Sequence, residues 1–78
     1  GRMKMTEMIV HVAPMRSPET IAATIRAGIK TDAKILLYPQ TKVASDKILQ
    51  GIAQVNEPIK TIIEDDNGKV RIRIEKEE

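Results

Sequence analysis

Apolar residues recur along this chain with two different periods, and each change of period marks a new element. Met8-Ile9-Val10-His11-Val12-Ala13 is a short apolar run rich in β-branched residues and bounded by Pro14, which predicts a strand buried on at least one face. Ser17-Pro18-Glu19 then aligns three helix-start signals: a capping serine, a proline whose φ is already helical, and a carboxylate in the first turn. Ile21, Ala22, Ile25 and Ile29 follow at helical spacing, opposite Thr20, Thr24 and Arg26. The pattern predicts a helix from residue 18 to about residue 28 with one buried stripe and Gly28 near its C-cap. Within residues 33–38, Ile35-Leu36-Leu37 is apolar at consecutive positions and is stopped by Pro39, as expected of a central strand covered on both faces. Ala44, Ile48, Ile52 and Val55 restore the helical period from residue 43 or 44 to 55, with Thr41 or Ser45 as cap and Asn56-Glu57-Pro58 as the break. Gly51 inside this helix costs about 1 kcal/mol relative to alanine, so it marks a close approach to a neighbouring backbone.

The last segment carries the sharpest signal. Asn67-Gly68 predicts a two-residue type I′ hairpin turn in which both residues take positive φ. That turn sets Asp66 opposite Lys69, Glu64 opposite Arg71, Ile62 opposite Arg73 and Lys60 opposite Glu75 on one face. The other face collects Ile59, Thr61, Ile63, Val70, Ile72 and Ile74. A one-residue slip would break three opposed charge pairs and turn the apolar face outward, so the register is strongly specified. The resulting order, β-α-β-α-β-β, predicts an α+β two-layer sandwich with a four-stranded mixed sheet and a C-terminal hairpin, in one domain over residues 6–76. Residues 1–5 are expected to be an expression remnant or an unstructured start.

Composition narrows the chemistry. The absence of cysteine removes disulfides, thiolate metal sites and thiol nucleophiles, and a single histidine leaves no pair for a metal or a proton relay. With one Tyr and no Phe or Trp, almost no aromatic surface is left for stacking on bases or sugars. No apolar run approaches the roughly 18 residues of a membrane span and no signal-peptide segment is evident, so a soluble, cytoplasmic protein is expected. Lys and Arg number 13 against 11 Asp and Glu, and Arg2 with Lys4 accounts for the whole excess of +2. Basic character must therefore be a local patch and not a global field.

In a right-handed strand–helix–strand unit the loops after both strands lie at the same carboxyl edge of the sheet. Here these are Pro14-Met15-Arg16-Ser17-Pro18 and Pro39-Gln40-Thr41-Lys42, so Arg16, Ser17, Thr41 and Lys42 flank two helix starts whose unpaired N–H groups attract anions. This edge is the candidate phosphate-binding site. The plainer alternative makes Arg16 and Lys42 ordinary loop cations and the hydroxyls mere caps, since no glycine-rich cradle accompanies them. Arg71 is matched to Glu64 across the hairpin, which leaves Arg73 as the freer cation and a further candidate, against the plainer reading of a solvated strand face. Glu64-Asp65-Asp66 reads as a turn acid cluster without a metal, because successive strand residues alternate faces. His11 faces away from Val10 and Val12 and has no second histidine or cysteine to complete an acid–base pair. Tyr38 ends the central strand near the candidate edge; packing over the core is its default, and lying against a sugar or base is the alternative. No active site assembles, so no enzyme activity, cofactor or metal is expected.

Val12-Ala13-Pro14-Met15-Arg16-Ser17-Pro18-Glu19-Thr20-Ile21-Ala22 resembles the Alba-type family, which includes the archaeal chromatin protein Alba and stage V sporulation protein S. Arg16-Ser17-Pro18 stands where Alba has its basic Lys-Lys-Pro loop, and Lys42-Val43-Ala44-Ser45 stands in place of its second basic loop. The resemblance implies an isologous homodimer that grips DNA or RNA backbone through Arg16 and Lys42, with Lys47 adding charge. Alba's long basic hairpin arm is absent, because here the hairpin closes tightly at Asn67-Gly68. Two to three phosphate contacts per protomer then imply weak binding, with log K falling at a slope of roughly −2 to −3 per protomer against log salt. A lesser similarity links Asp32-Ala33 through Lys42, Lys47 and Gly51 to the histidine phosphocarrier of the sugar phosphotransferase system, but the phosphorylated histidine would fall near Met15-Arg16 and a strand replaces the terminal helix. The C-terminal domain of translation initiation factor three shares the element order as well, so the fold alone does not choose a function. A protein-interaction module and a small-anion or phosphoryl carrier remain the alternatives.

Overall fold

The computed structural model describes residues 6–77; the expectation for residues 1–5 falls outside them. Six elements follow in the expected order: β1 (Glu7–Val12), α1 (Pro18–Lys30), β2 (Lys34–Pro39), α2 (Lys42–Val55), β3 (Ile59–Asp66) and β4 (Lys69–Lys76). The sheet runs β1-β2-β4-β3, with β1 and β2 parallel and the other two pairs antiparallel. The fold is α+β, two helices on a four-stranded mixed sheet.

Local chemistry accounts for the boundaries. Ser17 caps α1 by accepting from the Thr20 amide, and Thr41 caps α2 by accepting from the Ala44 amide, each satisfying one of the orphan donors of a helix start. The helix α1 runs past Gly28 and ends at Thr31, so Gly28 is not a cap. It is a contact point: a Cβ there would stand 2.7 Å from Cδ1 and Cγ1 of Ile35. Asn56, with φ 58°, supplies the left-handed residue that stops α2. The hairpin turn has φ 54° at Asn67 and 85° at Gly68, and the β3–β4 register agrees with the sequence reading at every pair.

Val12, Ile35, Leu37, Ile72 and Ile74 lie on one side of the pleat and form a single buried cluster with Ile21, Ala22, Ile25, Ile29, Ala44, Ile48 and Val55 of the helices. Both helices therefore cover the same face. Leu36, on the opposite side, is nonetheless only 3 % exposed. The central strand is thus covered on both faces as expected, but by different means: among the described residues both helices lie on one side, and on the other Leu36 sits in register between Ile9 and Arg73. The apolar face of the hairpin is also covered only in part. Ile72 and Ile74 are buried, whereas Ile63 and Val70 stay 65 % and 54 % exposed, because the helices lie over β2 and β4 and leave the outer strand and the turn end bare.

Candidate nucleic-acid interface

Parallel pairing of β1 with β2, in register from Glu7↔Lys34 to Val12↔Pro39, brings both strand-to-helix turns to one rim of the sheet. The Gln40 amide donates to the Val12 carbonyl at 2.9 Å and ties the second turn to the end of the first strand. The Lys47 ammonium donates to the Pro14 carbonyl at 2.9 Å and ties α2 to the first turn. Two capped helix N-termini thus face the same edge, where their free N–H groups carry partial positive charge.

The expected site residues divide into three groups. Arg16, Ser17 and Lys47 gather around the first turn, where Arg16 turns back along α1 and donates from Nη2 to the Thr24 hydroxyl at 2.8 Å. Thr41 and Lys42 line a depression of about 380 Å³ with Pro39, Gln40, Ser45 and Val70. The Lys42 ammonium is largely exposed and lies 4.0 Å from Asp46, one turn along the helix. Arg73 stands apart. It lies at mid-sheet beside Leu36 and Ile62, and its guanidinium is held by both Glu64 and Glu75. It is not the free cation the hairpin register suggested, because a long arginine reaches its diagonal neighbour across the strands and the residue two along its own strand.

The rim also holds His11, Lys69 and Val70, which the two loops alone do not indicate. The ladder between β2 and β4 ends at Leu37↔Ile72, short of Pro39, which has no N–H to extend it. Beyond that point a second depression, about 350 Å³, is lined by His11, Tyr38, Pro39, Gln40, Lys69 and Val70. Lys69 stands opposite Asp66 in the ladder, as the hairpin register predicts, but the expected charge pair does not form. In the structure the Asp66 carboxylate instead accepts from the Tyr38 hydroxyl at 2.8 Å and lies 3.6 Å from Arg71.

Tyr38 does not pack over the core. It lies on the open face of the sheet, where its hydroxyl donates to Asp66 and accepts from Arg71 Nη1 at 2.9 Å, while its ring stacks on His11 with centroids 5.2 Å apart. Arg71 also donates from Nε to Glu64, and Arg73 donates to the second Glu64 oxygen at 3.3 Å. Glu75 lies opposite Lys60 as expected, but its carboxylate is taken up by Arg73.

Electrostatics follow from these contacts. The Arg71 hydrogen bond, aided by the charges of Arg71 and Arg73, outweighs desolvation and holds the Glu64 carboxyl below its ordinary value of 4.5. The Arg71 guanidinium is held further in its charged form by its hydrogen bonds to Tyr38 and Glu64, and Arg73 likewise by Glu75. A carboxyl whose folded pKa lies below its unfolded one contributes stability that is complete above the unfolded value and is lost as pH falls through the folded one. Glu64→Gln is therefore expected to lower the urea midpoint most near pH ~7 and progressively less toward pH ~3. An equal deficit at both pH values would show that the ionised form of Glu64 has no part in folding.

Among the described residues no group of three or more His, Cys, Asp and Glu side chains is placed to hold a metal ion, and no helix is long and apolar enough to cross a membrane. No protein-family model and no curated protein matches this chain.

Proposed function

We propose that this is a small non-enzymatic nucleic-acid-associated protein of the Alba type, working in the cytoplasm as a homodimer and holding backbone phosphate weakly at the carboxyl rim of its sheet. The observation that carries this reading is the meeting, at one rim, of two capped helix N-termini with the ammonium groups of Lys42, Lys47 and Lys69. Helix N-termini and lysines together favour a dispersed anion, and DNA or RNA backbone presents such charge at regular intervals. Arg16 retains donors beyond the one given to Thr24, since a guanidinium carries five.

Titration of labelled DNA and RNA, by fluorescence anisotropy at about 50 and 200 mM salt, tests this reading. Binding is expected at the lower salt and lost at the higher one, with a log–log slope of roughly −2 to −3 per protomer. Reversing one rim charge, as Lys42→Glu or Arg16→Glu, should weaken DNA and RNA alike and flatten the slope by about one. Absence of binding at the lower salt would overturn the proposal.

A second reading, a protein-interaction module, draws on the exposed Ile63 and Val70 beside the outer strand β3. The same patch would serve the homodimer. A native mass spectrum with only monomer would remove the dimer, and self-association without any nucleic-acid binding would favour the module.

A further inference from the structure

We propose that the His11–Tyr38 pair is a platform for an unpaired nucleobase, so that the protein prefers single-stranded nucleic acid to duplex. The proposal rests on the nucleic-acid reading above and narrows its ligand. Counting Phe, Tyr and Trp hides this platform, because the second flat ring is an imidazole contributed by the neighbouring strand.

The position follows from the register. His11 and Tyr38 are directly paired across the parallel β1–β2 ladder and point to the open face of the sheet, where their rings stack 5.2 Å apart at an interplanar angle of 30°. Tyr38 is held from two sides, donating to Asp66 and accepting from Arg71, so its plane is set before any ligand arrives. His11 is exposed. The depression they border, about 350 Å³ with Lys69 at its edge, falls within the size range of small-molecule sites and suits one nucleotide.

Continuity with the rim distinguishes this patch from an ordinary exposed aromatic pair. Pro39, Gln40 and Val70 line both depressions, the one bordered by the two rings and the one at the start of α2 that contains Thr41 and Lys42. The Arg71 guanidinium carbon lies over the Tyr38 ring, 6.0 Å from its centroid, so the exposed ring of the stack is His11; a base stacked on His11 has Lys69 beside it, and its chain can continue over the rim toward Lys42. In a duplex the base faces are covered by their stacked neighbours, so this surface can engage duplex only through phosphate. Stacking of this kind tolerates any base, and one stacked base is worth on the order of a fivefold to hundredfold gain in affinity.

Tyr38 is the only tyrosine and the chain has no tryptophan, so intrinsic fluorescence reports on this site alone. The experiment compares a single-stranded oligothymidine of roughly twelve nucleotides with a duplex of the same length, at about 50 mM salt, reading tyrosine fluorescence and anisotropy together. The expected result is tighter binding of the single strand with quenching of Tyr38. His11→Ala should weaken single-strand binding by about five- to a hundredfold and leave duplex binding unchanged, while His11→Phe, which keeps a flat ring, should retain it. Because His11 is exposed, both variants should keep the wild-type melting temperature, measured alongside. Equal binding of the two forms without quenching would overturn the platform and leave the phosphate reading standing. Absence of binding to either form would overturn both.

Discussion

Truncating Ile48 to alanine is expected to remove about 2–5 kcal/mol of stability, the range for a buried aliphatic side chain whose cavity cannot collapse. Ile48 has no exposed surface and lies in the cluster that joins α2 to the sheet. A domain of this size is stabilised by only about 4–11 kcal/mol in total, so the loss is a large fraction of the whole. In a thermal melt it corresponds to at least roughly 8 °C. Leu49, the next residue, is half-exposed, and Leu49→Ala should stay within about 0.5 kcal/mol of wild type. Urea denaturation of the two variants decides the matter: equal losses at 48 and 49 would mean that α2 does not present to the sheet the face described here.

Gly51→Leu is the second large effect, and its mechanism is the opposite one. A Cβ at Gly51 would stand 2.9 Å from Ile21 Cγ2 and 3.0 Å from both Ile21 Cβ and the Pro18 carbonyl oxygen. These atoms belong to the start of α1 and cannot swing aside as the end of a flexible side chain does. Leucine is a good helix former, so intrinsic propensity would favour it over glycine by nearly 1 kcal/mol. Overpacking of the helix–helix contact should reverse that sign and destabilise the protein by about 3 kcal/mol. Ala53 is exposed on the same helix. Ala53→Leu should therefore be near neutral, and a Gly51→Leu variant as stable as Ala53→Leu would place the two helices farther apart than the structure has them.

What the chain discloses about itself depends on range. Ser17, Asn56 and Asn67-Gly68 act on their own neighbours in sequence, so the first N-cap, the helix stop and the whole hairpin register could be read without coordinates, whereas the second cap stayed open between Thr41 and Ser45 until the structure placed it at Thr41. Gly51 was legible for the same reason, as an element that contradicts its own helix. Gly28 was not, because the side chain packed against it belongs to Ile35 of β2, outside its own helix. Misreadings on the open face have two origins. Nothing local indicates that β4, and not β3, lies beside β2, yet that order alone brings Arg71 to Tyr38 and Tyr38 to Asp66. Lys69 keeps its place opposite Asp66 in the ladder, but with the Asp66 carboxylate engaged by Tyr38 and Arg71 its side chain lines the rim instead. Arg73 moved the other way, from a free cation to one shared between Glu64 and Glu75, because side chains long enough to reach diagonally are not confined to the residue directly opposite.

The central claim is that negative charge is held where the two strand-to-helix turns meet. Residue-resolved amide chemical shifts, followed while a short oligonucleotide is titrated at about 50 mM salt, address it most directly. The account predicts that shifts concentrate at Arg16, Ser17, Gln40, Thr41, Lys42 and Lys69 and vanish when salt is raised to about 200 mM. Shifts gathered at the opposite edge of the sheet, around Lys30, Thr31 and Lys34, would contradict it.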